Sequence, residues 1–309
     1  MILFFAPFGA LERVALVEHF ESGTPQKPMR VSTFAGGAGL RAAFVARQQG
    51  ADVFAVSGAG GRMGVLLREN LERQNVPHVL VPIAGDTPGS FVVLDKEQGV
   101  VTDIPEAHRE IAPAEADALL AALEQHLPQA ELLVVSEHHG ESDGDLWPRV
   151  FGLAAQHNVA VVADVQGAAL DAAVAARVWL VRVALRTLQQ RTEQSLQHDS
   201  AIIAEAQAMI QSGVENVCVT LGEEGALLAR PDSVWRIAPQ VVSHWNAIGC
   251  GDTLVGALSA QWLETRNLLD AVRYGCAAAS VNVTHDEPGF ATPGETRILL
   301  PRTQVSRIA

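Results

Sequence analysis

The richest chemistry lies in one short run, Asn246-Ala247-Ile248-Gly249-Cys250-Gly251-Asp252-Thr253, which opens directly into the apolar stretch LVGALSAQWLE. Glycines let the main chain approach a ligand closely, and the first amides of a helix have no partner within it. A helix start of this kind holds anions, phosphate among them. A carboxylate there repels phosphate, so its presence asks for a reason. Asp252 could take the proton of a hydroxyl while the amides of Gly249, Cys250 and Gly251 hold the charge on a transferring phosphoryl group. The plainer alternative is a glycine-rich turn in which Asp252 caps the helix, an interaction worth about 1 kcal/mol. The residues alone leave both readings open.

The elements that must position this run are legible from hydropathy. Short continuous apolar runs at 51–58, 131–136, 159–164, 178–183 and 216–222 read as parallel strands covered on both faces. Helical patterns at 40–50, 114–127, 146–158 and 200–213 alternate with them, and Gly50 and Gly213 stop two of these. Alternating strand and helix predicts an α/β, doubly wound, mostly parallel sheet flanked by helices. Two segments break the alternation. Residues 8–34 and 86–104 read as β excursions, the second a hairpin turning at DKEQG, and together they could form a small sheet over one end of the body.

Composition narrows the function classes. Of 309 residues 48% are hydrophobic and 18% charged, which excludes disorder as the main state and leaves room for one large domain or two smaller ones. No apolar run nears the ~20 residues of a membrane span. The apolar start MILFFAPF is short and has no basic lead, so a secretory leader is not expected. The net charge of −13 argues against nucleic-acid binding through phosphates. Cys218, Cys250 and Cys276 lie far apart, without the spacing of a disulfide framework or a zinc site, which suggests a reducing cytoplasm.

The run 246–253 closely resembles the (N/D)-x-x-G-A-G-D signature of the ribokinase-like (PfkB) carbohydrate kinases. Gly36-Gly37-Ala38-Gly39-Leu40-Arg41-Ala42-Ala43 resembles that family's Gly-Gly-Lys-Gly-x-Asn-x-Ala region, and Val219-Thr220-Leu221-Gly222-Glu223-Glu224-Gly225-Ala226 its strand and turn beside the nucleotide. The opening Ala6-Pro7-Phe8-Gly9-Ala10-Leu11-Glu12-Arg13 is similar to the Asn-Pro-Ala-Leu-Asp start of the branch with 1-phosphofructokinase and tagatose-6-phosphate kinase. The order and spacing fit over nearly the whole chain. The resemblance implies one ribokinase-like unit over 1–309 with a β lid at about 8–34 and 86–104. It implies transfer of the γ-phosphoryl group of ATP, with Mg2+, to a sugar hydroxyl. Asp252 would be the base, and Gly249, Cys250 and Gly251 the anion hole. Thr220, Gly222 and Gly225 would border the nucleotide, with Asn282 near the adenine or simply a polar helix end. Glu12, Gly36, Gly37, Arg41 and His138 would lie on the substrate side. A homodimer through the lid is implied as well.

This sequence departs from that pattern at clustered positions. The family Lys is Ala38, its Asn is Arg41, and its opening acid is Glu12, one methylene longer. An Arg expected at the start of the lid hairpin is replaced in Gly85-Asp86-Thr87-Pro88 by Pro88. Without that Lys and Arg the expected clamp for a substrate phosphate is gone, so a phosphorylated sugar is less expected than the nearest branch suggests. The Asn-x-x-Glu that organises magnesium falls on Ala184 and Thr187, and Arg182 stands where the family often has Lys. Ser136-Glu137-His138-His139-Gly140 replaces Ser-Gly-Ser-Leu-Pro.

Three readings follow: a kinase with an altered substrate, a weak or inactive kinase-fold protein that binds a ligand, and a pocket in which Arg41 receives an acidic sugar or a nucleoside. Arg41 could equally pair with Glu12. His138 and His139 point to opposite sides of a strand end, so at most one faces a pocket, and a two-His metal site lacks a third ligand. Cys250 could be a low-pKa thiol at a helix start or a small filler in an alanine slot. Asp143 and Asp145 are expected to cap the helix at Leu146, and Glu223 and Glu224 to form a solvated turn.

Overall fold

Apolar runs from both halves of the chain form the middle of one large sheet. A computed structural model describes residues 1–107, 110–137, 145–240, 242 and 246–309. The chain runs β1 (Ile2–Phe8), β2 (Ala10–Val17), β3 (Arg30–Gly36), α1 (Ala38–Gln48), β4 (Val53–Ala59), α2 (Gly61–Arg73), β5 (His78–Pro82), β6 (Gly89–Asp95) and β7 (Val100–Pro105). It continues through α3 (Pro113–His126), β8 (Leu132–Glu137), α4 (Leu146–Gln156), β9 (Ala160–Val165), α5 (Gly167–Ala175), β10 (Leu180–Ala184), α6 (Leu185–Thr192), α7 (Asp199–Gln211) and β11 (Asn216–Thr220). It ends with β12 (Ala226–Arg230), β13 (Ser233–Ala238), α8 (Cys250–Thr265), α9 (Leu268–Asn282), α10 (Pro293–Leu299) and β14 (Gln304–Arg307).

The large sheet has ten strands in the order β14-β13-β12-β11-β10-β9-β8-β1-β4-β5. From β5 to β11 every pairing is parallel, and β12, β13 and β14 add an antiparallel edge. All seven residues of β1 and all six of β8 are buried, as strands covered by helices on both faces must be. The two-residue period divides the core. Leu3 and Phe5 face a layer with Leu119, Trp147 and Leu170, while Ile2 and Phe4 face Leu40, Leu254 and Val272 on the other side. Phe4 and Phe5 are fully buried, so cutting either to Ala would cost about 3–5 kcal/mol. The predicted α/β architecture is the observed one. The short apolar start, weighed in the sequence only as a leader, is β1, held between β4 and β8.

The two β excursions form a separate four-stranded sheet, β3-β2-β6-β7. Strands β2 and β6 pair in parallel, and each carries an antiparallel neighbour on its outer side. The first lid segment begins at Ala10 and ends at Gly36, because Phe8 still belongs to β1. Val14, Val92 and Leu94 form a small core under the lid. The cross-strand row Glu12, Ser90 and Pro105 brings polar groups to the same inner face. At the start of α4, Asp145 stands at the cap position but makes no capping hydrogen bond; its carboxylate lies 3.7 Å from Arg149. Asp143 lies outside the described residues.

Candidate active site

The signature run folds as a turn that ends the loop before α8. Asn246 is fully buried and shapes the turn from both ends: its Oδ1 accepts from the Ile248 amide at 3.0 Å, and its Nδ2 donates to the His285 carbonyl at 2.9 Å. Gly249 is the cap residue of α8 at φ +76°, and a Cβ there would sit 2.8 Å from the Gly289 amide. Only glycine meets both demands without strain. The next three residues, Cys250, Gly251 and Asp252, form the first turn of α8; the Cys250 amide donates to the Ala247 carbonyl at 3.5 Å, while the amides of Gly251 and Asp252 have no partner within the helix, at its positive end.

Two cavities meet at this turn. One, of about 260 Å³, is bordered by Thr220, Gly222, Gly225, Leu254, Ala279 and Val283. The other, of about 280 Å³, lies under the lid and is bordered by Glu12, Gly37, Arg41, Ser90, Asp103 and Asp252. Cys250, Gly251 and Arg182 border both. The signature turn therefore forms the partition between a mostly apolar chamber and a charged one.

In the charged chamber Arg41 joins two carboxylates. Its Nε donates to Asp252 Oδ2 at 2.5 Å, and its Nη1 pairs with Glu12 Oε1. The side chain of Asp252 is 3% exposed and that of Glu12 is 7% exposed. The salt bridge weighed for Arg41 is thus present, and it includes the candidate base. Glu12 Oε2 is buried without a partner. Gly36 does not border the chamber. It lies behind Glu12, where a Cβ would sit 2.7 Å from the Glu12 carboxyl carbon, so its lack of a side chain makes room for that acid.

Arg182 was marked in the sequence only as a residue standing where a Lys is common. It is buried on β10, opposite Asp164 of β9 in register. Its Nη1 donates to Asp164 Oδ1 at 2.8 Å and its Nη2 to Thr220 Oγ1 at 2.7 Å, while Nε has no partner. Burial works most strongly against its charge, but Asp164, with Asp252 and Cys218, more than offsets it and the pKa is raised. Gly251 presses against this guanidinium, where a Cβ would lie 2.6 Å from Nη2. One signal could have revealed it: a charge inside the apolar run VWLVRV needs a partner, and VAVVAD on the preceding strand supplies one.

Three other expectations take a different form. Asn282 does not border either cavity. It is fully buried and spends both ends of its amide on protein, donating to the Ile248 carbonyl at 2.8 Å and accepting from Gly289 at 2.7 Å and Phe290 at 3.2 Å. It fixes the signature turn against the loop after α9. Against the low-pKa reading of Cys250, burial pushes the thiol up to about 11 despite the helix start. Glu223 and Glu224 are exposed as expected, with Glu224 paired to Arg236 at 2.6 Å. His138 lies outside the described residues.

At the magnesium position, Ala184 ends β10 and Thr187 lies in α6; neither offers a carboxylate. No cluster of three His, Cys, Asp or Glu residues able to hold a metal occurs among the described residues. The donor set at that position does not fit a resident magnesium ion.

The sequence matches the pfkB family of carbohydrate kinases over residues 8–294. A possible 1-phosphofructokinase from Thermotoga maritima has a similar structure, with a TM-score of 0.90 at 17% identity over 100% of both chains. Phosphofructokinase-2 from Escherichia coli gives 0.87 at 22% identity, covering 97% of this chain and 98% of its own. A ribokinase from Thermotoga maritima gives 0.75 at 20% identity, covering 97% and 99%. The chain belongs to the pfkB family of carbohydrate kinases. Family membership supports sugar kinase activity and does not favour the reading of an inactive, ligand-binding relative.

Proposed function

We propose that this protein transfers the γ-phosphoryl group of ATP to a hydroxyl of a sugar or sugar-like acceptor. The observation that carries the reading is the start of α8: Cys250 and Gly251 border both cavities, and the buried Asp252 carboxylate borders the one under the lid. The nucleotide would lie in the apolar chamber, its base against Leu254, Ala279 and Val283 and its phosphates towards Gly251. The acceptor would lie under the lid. Its hydroxyl oxygen attacks the γ-phosphorus, the bond to the β–γ bridging oxygen breaks, and the hydroxyl proton passes to Asp252. The amides of α8 and the Arg182 guanidinium take up charge on the transferring group. Arg41 holds the Asp252 carboxylate in place for the proton. Magnesium would enter on the nucleotide's own phosphates, and no step here depends on it.

A homodimer through the lid is part of the same proposal. Phe91 and Ile104 are cross-strand neighbours on the outer face, 51% and 58% exposed, with Val31 also exposed. Such a face asks for cover. The free cysteines suit a reducing compartment, so a cytoplasmic location is proposed. No helix among the described residues is long and apolar enough to cross a membrane.

The test is ADP release from ATP in the presence of a panel of sugars. Release that depends on the acceptor, with a phosphorylated product in the mass spectrum, is expected. Release that is the same with and without every acceptor would overturn the proposal.

A further inference from the structure

We propose that the acceptor carries no phosphate of its own: it is a polyol, plain or amino-substituted, recognised through its hydrogen-bond donors. This rests on the kinase reading above. Three carboxylates, of Glu12, Asp103 and Asp252, border the chamber under the lid. Two guanidiniums border it as well, and both are already committed. Arg41 holds Asp252 and Glu12, and Arg182 holds Asp164 and Thr220. Asp164 brings a further negative charge, and Arg182, whose Nε alone lacks a partner, is assigned above to the transferring phosphoryl group, so the described side chains that line the chamber leave an acceptor's own phosphate no further cation.

The second observation is independent of that count. Glu12 borders the chamber with a side chain more than nine-tenths buried, and its Oε2 is a buried carboxylate oxygen without a partner. Leaving such an acceptor unmatched is costly. A ligand hydroxyl or ammonium would satisfy it, whereas a phosphate dianion at neutral pH would meet it with like charge. The lid adds to the same preference. Asp103 accepts from Ser90 and still has acceptor capacity towards the chamber. Residues 85–88 at the entrance to β6 contribute no cation. Arg41 thus sets specificity by being spent, since it neutralises the carboxylates around it instead of greeting an anionic ligand.

The experiment is calorimetric titration of the full chain with matched pairs: ribose and ribose 5-phosphate, fructose and fructose 6-phosphate, glucosamine and glucosamine 6-phosphate. At least one unphosphorylated member is expected to bind 30-fold or more tightly than its ester. Ester binding equal to or tighter than that of its partner in every pair overturns the proposal, as does a panel in which no unphosphorylated member binds. Glu12→Gln and, on the lid, Asp103→Asn should each narrow the gap between the members of a pair. A gap unchanged in both variants, with both folded, would also overturn it. Turnover separates this from the kinase reading. A polyol that binds but releases no ADP from ATP fails the kinase reading alone. ADP release with esters only fails the present proposal alone.

Discussion

The two chambers share Arg182, Ala247, Cys250 and Gly251, but they are built by different means. The apolar one is shaped by main-chain turns at Gly222 and Gly225 and lined by small or aliphatic side chains such as Leu254 and Ala279. The one under the lid is shaped by ion pairs among Glu12, Arg41 and Asp252. A wall made of backbone keeps its shape as long as the glycines stay, and it accepts the same kind of ligand. A wall made of charged side chains changes its ligand with one substitution. The resemblance to the family holds at the glycines of the first wall and breaks at Arg41 of the second, with Ala38 and Pro88 next in sequence to its lining residues Gly37 and Gly89. Reaction type and acceptor choice are thus carried by different materials on the two sides of one helix start.

The largest effect should come at the partition. Asp252→Asn should lower kcat by roughly 10²–10⁴-fold, because the acceptor proton loses its base. The ATP dissociation constant should stay within about threefold. Gly249, not Asp252, caps α8, and asparagine can still accept from Arg41, so a role in positioning Arg41 alone would leave kcat nearly unchanged. Initial-rate kinetics together with nucleotide titration of the variant separate the two roles.

Next in size is Arg182→Lys. It keeps a charge beside Asp164 but cannot also reach Thr220 with a planar fork. A fall in kcat of about 10–100-fold is expected. Because Arg182 borders both chambers, the KM values for ATP and acceptor should both rise. A change confined to one of them would place the residue in that chamber's wall alone.

Gly225→Ala should act on one chamber only. The residue lies at φ +91°, and a Cβ would collide with the Ile237 carbonyl oxygen. The expected cost is about 1–3 kcal/mol of stability, read from the urea midpoint. The KM for ATP should rise while polyol binding by calorimetry stays the same.

The difference between the walls also explains what could be read from the sequence. Five inner strands were legible because burial on both faces turns each into a continuous apolar run, as in ELLVVS and VAVVAD. Strand β1 has the same pattern but stands at the chain start, where an apolar run also looks like a leader. The strands β12, β13 and β14 were missed because β12 is a run of only four apolar residues and β13 and β14 mix apolar and polar residues, as in SVWRIA, and get their shape from pairing. In the site, glycine spacing announced Gly249, Gly251, Gly222 and Gly225, since backbone geometry leaves few alternatives. Arg41 left two readings open because its meaning depends on Glu12 and Asp252, far away in sequence. Asn282 was placed near the nucleotide by position alone. Its partners Gly289 and Phe290 come from a loop whose path no local pattern encodes, and Ile248 from the signature turn.

The smallest effect is expected at Cys250, although it sits in the anion-hole turn. The thiol's pKa is pushed up to about 11, first by burial. Burial disfavours the thiolate, so at pH 8 only about one molecule in a thousand would carry it. Alkylation by iodoacetamide should therefore be slow at pH 8 and accelerate as the pH climbs towards 11. A free-thiol rate already at its plateau near pH 8 would mean that the helix start wins over burial. Cys250→Ala should leave kcat within about twofold, because alanine keeps the main chain of the turn and the thiol carries no charge near neutral pH. If that variant instead loses activity on the scale of Asp252→Asn, the partition between the chambers works through its side chains after all, and the contrast between a backbone wall and a charged wall fails where the two meet.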